Sequence, residues 1–434
     1  MNLLLIQPAP KNNHYDDSLR FIRNFALRNY FMVPSLALGI LAALTPPEWK
    51  IRILQEPNET IDFSENYDLV GITAVTNTVR RGYEIADQFR GKGVQVVMGG
   101  IHPSALPEEA LQHCDAVCIG EAELIWNSIL TDAKRGSLKK IYKAEKSFDL
   151  QSYPLPRRDL MPKCGSFFYS VATVETSRGC PYNCEFCSVS ISHGNKIRCR
   201  PYRNLISEIE KIQKKRLFFV DNNIVADKVK AKKLFNELAP LGKKWTGQAS
   251  ISIADDVQLT KAAADSGCYG LLIGIESVTD EGFKKYKKSK HNFKELKNAV
   301  KILKEHGIAV YAHMVFGNDF DTKDSFAETL ERLSQLDLAS ATLGILVPYP
   351  GTVFTQRLEQ QKRIVTKDWN LYDIHHLVFN PANFSESEFI REIQHLRQEF
   401  FSYRKIFLRA LNYRNPVVFG FNLSSRSHNR LNIV

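Results

Sequence analysis

The sequence predicts an α/β protein: a doubly wound parallel sheet at the amino end, a partial barrel of six strand–helix units, and a helical carboxyl-terminal segment. Short continuous runs rich in Val, Ile and Leu recur with helical patterns between them, as parallel strands buried on both faces require. That alternation stops near residue 136, resumes at Val171 and ceases after Trp369. Three cysteines crowd an eight-residue window directly after the first strand of the second series, at the strand end where such barrels keep their reactive groups.

The chain has 434 residues, enough for two or three domains with apolar cores. The eight cysteines are unevenly spread and read as one ligand set plus singletons, Cys164 and Cys268 among the inert ones. The absence of a basic segment with a cleavage site ahead of the first strand gives the expectation of a cytoplasmic protein. The run Phe31–Thr45, bounded by prolines, is too short to span a bilayer and reads as a buried helix. A net charge of +11 raises the question of nucleic acid, but many Lys and Arg fall on helical patterns such as Lys284–Lys290 and Lys294–Lys304, where a solvated face is the default and nucleic-acid binding is disfavoured.

The expected organisation is 1–135, a linker over 136–168, a barrel over 169–365 and a helical, basic segment over 366–434. In the first part, strands are expected at Asn2–Gln7, Lys50–Leu54, Leu69–Thr73, Val94–Met98 and Ala116–Ile119, with helices at Leu36–Leu44, Arg80–Arg90 and Glu108–His113. Open sheets bind ligands at their strands' carboxyl ends. The loops there hold Thr76, Asn77 and Thr78, then Gly99, Gly100 and His102, then Gly120 and Glu121. Small residues let a bulky flat ligand approach the backbone, and the missing GxGxxG argues against a dinucleotide.

The barrel strands are expected at Val171–Thr176, Arg216–Val220, Thr246–Ile251, Tyr269–Ile275, Ala309–Phe316 and Ala341–Val347. Their ends carry polar candidates: Asp221 and Asn222, with helix capping as the bland alternative; Ser250 and Ser252, on alternate strand positions and so on one face; and Glu276 with Ser277. Tyr311, His313 and Tyr349 are further candidates to face a substrate, though lone residues of these types are more often structural. A helix is expected over Glu386–Leu411, and from Phe401 onward there are six Lys or Arg and no acid, interleaved with aromatics. Two readings apply to this tail: a helix that closes the open side of the barrel with its arginines exposed, which is favoured, or a dock for anionic lipid.

The stretch TVETSRGCPYNCEFCSVS spaces Cys180, Cys184 and Cys187 four and then three residues apart, with Phe186 before the last. A closed zinc site needs four ligands, normally as two pairs, although Cys199 is not excluded as a fourth sulfur. This CxxxCxxC stretch resembles the radical S-adenosylmethionine (SAM) superfamily. The resemblance implies a [4Fe–4S] cluster on Cys180, Cys184 and Cys187 whose fourth iron is chelated by SAM, in a TIM-like partial (β/α)6 barrel. It also implies SAM contacts from Phe186, Asp221, Asn222, Ser250, Ser252, Glu276 and Ser277.

The segments DLVGITAVTNT, VVMGGIHPSALPEEAL and DAVCIGEAE make the first third similar to the Rossmann-like cobalamin-binding domain found ahead of many radical SAM enzymes. Thr76, Asn77, Thr78, Gly99, Gly100, His102, Gly120 and Glu121 are then the expected cobalamin contacts. The usual DxHxxG stretch is missing, so the expected state is cobalamin without a protein histidine on cobalt, His102 meeting backbone or the ligand's periphery. The implied activity is methylation of an unactivated carbon, or a phosphinate phosphorus, of a small-molecule or lipid-like substrate, with an electron donor such as flavodoxin or ferredoxin. The alternative within the same branch is cobalamin-dependent cyclisation, rearrangement or oxidation without methyl transfer. A tRNA methylthiotransferase would need three further cluster cysteines in the first domain, where only Cys114 and Cys118 stand. A non-catalytic cofactor-binding protein and an electron carrier are the readings from other classes.

Overall fold

The computed structural model describes residues 1–10, 35–56, 59–161, 171–286, 290, 292–413 and 416–431. The expected inert Cys164, the loop residue Pro162 and residues 31–34 of the first apolar run lie outside them.

The amino-terminal sheet contains β1 (Asn2–Gln7), β2 (Lys50–Gln55), β3 (Leu69–Thr73), β4 (Gln95–Gly99), β5 (Ala116–Ile119) and β6 (Ile141–Lys143). They run in the order β2-β1-β3-β4-β5-β6, all parallel, with Leu4 opposite Val70 and Ile72 opposite Met98. The sixth strand falls in the stretch expected to be linker, so the first domain runs past 135; three residues with only Tyr142 buried carry too little pattern to be read as a strand. Helix α1 (Leu36–Leu44) buries Leu36, Leu38, Ile40 and Ala42, as expected of that run. Helix α2 (Val79–Arg90) buries Val79, Tyr83, Ala86 and Phe89, the three- and four-residue spacing of one helical face. The expected helix Glu108–His113 is only the turn α4 (Pro107–Ala110), preceded by α3 (Ile101–Ala105), and α5 (Trp126–Lys134) was not foreseen.

The second sheet holds β7 (Val171–Val174), β10 (Arg216–Phe219), β11 (Lys244–Ala249), β12 (Cys268–Glu276), β13 (Ala309–Phe316) and β14 (Ser340–Ile345). All its pairings are parallel, in the order β14-β13-β12-β11-β10-β7, so that among the described residues β7 and β14 stand at the edges. Between β7 and β10 a two-residue ribbon pairs β8 (Ser177–Arg178) with β9 (Arg198–Cys199). Around Trp245 the core is dense: its indole donates to Ser266 Oγ at 2.9 Å and its ring packs on Phe219 and Phe235. The expected strand Thr246–Ile251 ends at Ala249 because Ser250 turns to cap the short helical segment Ile251–Asp255.

The single helix expected over Glu386–Leu411 is broken into Glu386–Phe400 and Tyr403–Tyr413, and a further helix spans Pro416–Leu431. The last of these closes the β14 side: Asn422 donates to Ala339 O at 2.8 Å and accepts from Ser340 Oγ at 3.1 Å. The expectation that the arginines of this segment lie exposed holds for Arg404 but is corrected for Arg397, Arg409 and Arg426. Arg397 is buried against Leu343 O and Ile374 O, Arg409 donates to Phe400 O, and Arg426 to Phe401 O. Burial lowers the Arg397 and Arg409 guanidinium groups to about 10. Tyr311 packs its ring on Phe421 of this helix, which corrects its candidacy as a substrate-facing residue. Among the described residues no helix is long and apolar enough to cross a membrane.

Phe89 is fully buried and lies against Phe63 and Tyr67. Phe89→Ala is expected to destabilise the amino-terminal sheet by about 3–5 kcal/mol, read as a lower urea midpoint.

Candidate active site

The cysteine loop leaves β7 through Thr176 and Ser177 and turns at Gly179, whose φ is 95°. A Cβ there would lie 2.3 Å from Lys196 O, so only glycine lets the two arms of the loop close on each other. Cys180, Cys184 and Cys187 are partly exposed along this loop, and Cys187 N donates to Cys184 O at 3.0 Å. Between them Glu185 pairs with Lys285 at 2.9 Å and Arg357 at 2.8 Å, and its carbonyl accepts from Phe354 N. Those pairs hold the Glu185 carboxyl below the usual carboxylate range, the Lys285 hydrogen bond contributing most. Phe186 meets the Tyr286 ring edge-on at 5.9 Å, and Tyr182 OH lies 3.1 Å from Ser250 Oγ.

Cys180, Cys184 and Cys187 offer three thiols from one loop, one fewer than a closed zinc site takes. A cubane cluster takes one thiolate per iron and so spreads its ligands wider. Three accessible thiols on one externally braced loop fit a [4Fe–4S] cluster with one iron left open. Cys199 belongs to the ribbon, opposite Ser177, and lines a small cavity with Lys230, Asp227 and Tyr202.

Four of the strand-end candidates, Asp221, Ser250, Ser252 and Ser277, are held by other parts of the protein. Asp221 is 1 % exposed and accepts from Thr176 N, Thr176 Oγ1 and Ser177 Oγ at 2.6–3.0 Å, tying the end of β10 to that of β7. Its expected role toward the methionine part of SAM is corrected to this internal tie. Burial outweighs the three hydrogen bonds and raises the carboxyl to about 6. Asn222 is half-buried, and the neighbouring Asn223, which sequence reasoning missed, accepts from Ser250 N at 2.9 Å and so positions the next strand end. Ser250 and Ser252 are not alternate strand residues; their hydroxyls share one turn, 2.9 Å apart. Ser277 caps the turn into helix Asp280–Tyr286, accepting from Thr279 N, and is buried.

Glu276 is buried with φ 65° at the end of β12, where the register with β13 slips. A non-glycine residue there stores strain, a feature that collects at functional sites. Tyr286, also missed because nothing but its aromaticity marks it, stands within electrostatic reach of Glu276, Asp321 and Cys184. Burial first, then those charges, push its phenol well above the ordinary value, so it stays a donor, to Asn318 Oδ1. Tyr349 lies near Cys187 and Asp373, and burial raises it to about 12.

At the carboxyl edge of the first sheet, Thr76 and Thr78 are buried, Thr78 Oγ1 closing its own turn on Val75, while Asn77 is half-buried and Val75 exposed. Gly100, at φ 103°, would place a Cβ 2.6 Å from Ala74 O, so the β3 and β4 loops meet backbone to backbone. Gly99 is half-buried and Gly120 exposed, leaving a bare peptide shelf that suits a broad, flat ligand. The shelf lies beside the barrel mouth, since Gly351 after β14 lies against both Ile191 of the cysteine loop and Ala105 of α3.

Two expected ligand contacts are corrected. His102 is fully buried, 3.4 Å from Glu109 through Nε2 and edge-on to Trp369 at 4.9 Å, so it serves the packing between the first sheet and the carboxyl-terminal segment. Glu121 is buried in ion pairs with Arg198 at 2.7 Å and Arg178 at 3.3 Å. Burial would raise its carboxyl, but the hydrogen bonds of Arg198 and Phe148 N and the charge of Arg178 outweigh it and keep the pKa low.

A radical SAM superfamily profile matches residues 174–333, and a B12 binding domain profile matches 35–129. The chain therefore carries a radical SAM domain and a B12-binding domain, and its relatives are cobalamin-dependent radical SAM methyltransferases. Its cofactors are a [4Fe–4S] cluster, SAM and cobalamin, and it is a radical SAM enzyme. It is 29% identical over 384 residues to bacteriochlorophyllide d C-12(1)-methyltransferase of Chlorobaculum tepidum, covering 84% of this chain and 82% of that one. To hopanoid C-2 methylase of Rhodopseudomonas palustris it is 23% identical over 353 residues, 77% of this chain and 66% of the other. In fold it resembles the cobalamin-dependent SAM radical enzyme OxsB (TM-score 0.71, 14% identity, 99% of this chain and 71% of that one). It also resembles the methyltransferase TsrM from Kitasatospora setae (TM-score 0.66, 17% identity, 84% and 77%).

Because Asp221 ionises in the folded radical SAM barrel only near 6 rather than at its ordinary 3.8, it favours the fold below that window and loses the contribution as pH rises through it. Asp221→Asn is expected to remove this slope: wild type loses stability relative to the variant across that window, measured by chemical denaturation at a series of pH values.

Proposed function

We propose that the enzyme methylates an unactivated carbon of a lipid-like small molecule held between the cysteine loop and the glycine shelf. The observation that carries this reading is the meeting of Gly351, Ile191 and Ala105, which sets the barrel mouth beside the shelf. The names of the relatives, methyltransferases acting on bacteriochlorophyllides and hopanoids, support it. When bound, the cluster with SAM supplies a carbon-centred radical and cobalamin supplies the methyl group.

The chain's own residues orient and enclose. Cys180, Cys184 and Cys187 hold the cluster. Phe186 and Tyr286 wall the SAM site, while Glu276, Asn222, Ser250 and Ser252 offer polar contacts to SAM. Asn77, Gly99, Gly100 and Gly120 form the corrin seat, with Thr76 and Thr78 shaping its turn. With His102 turned toward Glu109 and Trp369, this loop would offer a bound corrin no histidine. A one-electron donor such as a flavodoxin or ferredoxin completes the system.

The helices Tyr403–Tyr413 and Pro416–Leu431 serve as a peripheral contact with anionic lipid. Tyr403, Phe407, Leu408 and Leu411 share the outer face of their helix at 51–62 % exposure, with Phe419 and Leu423 on the next. Arg404 is exposed on the same helix, and Lys304 of the neighbouring helix Phe293–Glu305, which also pairs with Asp337 at 3.1 Å, meets Asn412 at 2.7 Å.

Anaerobically reconstituted protein with a reductant and SAM is expected to yield S-adenosylhomocysteine beside 5′-deoxyadenosine, resolved by liquid chromatography. 5′-Deoxyadenosine without S-adenosylhomocysteine would turn the reading to cobalamin-dependent rearrangement or oxidation. Replacing the three cluster cysteines by Ala should abolish both products and leave corrin uptake intact. The full-length protein should co-sediment with phosphatidylglycerol vesicles and less with phosphatidylcholine ones. Phe407→Ser with Leu411→Ser should lose that binding; a monomer–dimer shift in the double variant, with unchanged sedimentation, would make the face a self-association surface.

A further inference from the structure

Arg178 stands two residues before the first cluster cysteine and is 6 % exposed. Its guanidinium meets three carboxylates: Glu175 at 3.0 Å from its own loop, and Glu123 at 2.6 Å and Glu121 at 3.3 Å from the loop after β5. Glu121 is gripped from the other side by Arg198, through both oxygens at 2.7 and 2.9 Å, and Arg198 is the ribbon partner of Arg178. Glu121 directly follows Gly120, the last glycine of the shelf, and Glu123 stands two residues further on. The cluster loop and the shelf are thus joined through one buried guanidinium fork, with almost no intervening chain on either side.

We infer that Arg178 is a positioning residue that fixes the separation of the two cofactor loops, so that cluster and corrin are held at one distance whether or not substrate is present. The inference rests on the cofactor assignment above. A rigid planar fork can satisfy carboxylates at three bearings at once, whereas an ammonium on a flexible stem meets them only as a point charge. The arrangement also holds three negative groups against two guanidinium groups, so neither arginine is dispensable to the charge balance. Displacing one reacting partner by about 1 Å costs roughly a hundredfold in rate, which is the scale on which such a clamp acts.

Arg178→Lys tests this because it keeps the charge and removes the fork. In the protein without cofactors, amide hydrogen exchange at 116–123 and at 176–180 should rise together in the variant, while the Trp245 core stays protected. In the loaded protein, iron, sulfide and corrin contents should match wild type. The power-saturation enhancement of the cob(II)alamin EPR signal on reducing the cluster should fall severalfold, because it reads the distance between the two centres. Unchanged enhancement with both cofactors bound overturns the inference. If Arg178→Lys fails to load, Glu123→Gln, which leaves the arginine in place, must show the same fall, and wild-type enhancement there overturns it equally. A wild-type protein that takes up no cluster or corrin fails the cofactor assignment instead, which separates the two.

Discussion

Three thiols can serve one centre only if the backbone between them is held from outside, because the loop that carries them has almost no secondary structure of its own. Here the bracing comes from every direction. The closure at Gly179 against Lys196 removes freedom within the loop, and Glu185 is fixed by Lys285, Arg357 and the Phe354 amide on the barrel side. Arg178 fixes the loop on the side of the first domain. Ligand geometry is set by these neighbours, and the three thiols stay partly exposed.

The bracing is largely electrostatic, and the Arg178 pairs draw their strength from burial, unlike the half-exposed pairs of Glu185. Surface pairs of this kind contribute little, because water and salt screen them. Arg178, Glu121 and Glu123 are almost fully withdrawn from solvent, so their loss would leave unpaired charges in a dry site. Such a cluster gives little net stability relative to an apolar contact of equal size. Its directional hydrogen bonds instead admit one arrangement of the two loops. The same economy appears at Asp221, which ties two strand ends and is raised in pKa by the burial that makes the tie specific. The Trp369–Glu109–His102 contact does comparable work on the other flank with aromatic packing and one indole hydrogen bond at 2.8 Å.

Much of the fold was legible because parallel sheets leave a strong trace. Asn2–Gln7, Leu69–Thr73, Ala116–Ile119 and Ala309–Phe316 are continuous apolar runs, and strands form at those positions. Ile141–Lys143 was not legible, since an edge strand of three residues is specified by its partner β5 rather than by its own pattern. Nor was the break between Phe400 and Tyr403, where the apolar spacing continues across a turn. Among site residues, the cysteine triplet announces itself by spacing and Glu276 by being acidic at the end of an apolar strand. Tyr286 and Asn223 carry no such signal, and they matter only through what surrounds them.

By itself the sequence determined the two α/β series, the placement of the cysteines at a strand's carboxyl end and the likeness to cobalamin-dependent radical SAM proteins, because periodicity and ligand spacing are local. Tertiary structure alone decided that His102 faces Trp369, that Glu121 and Arg178 meet across the two domains, and that Asp221 turns inward to Thr176 and Ser177. Each of those outcomes depends on a partner far away in the chain. A polar side chain taken from water goes to whichever distant group can satisfy it, and no local pattern records that choice.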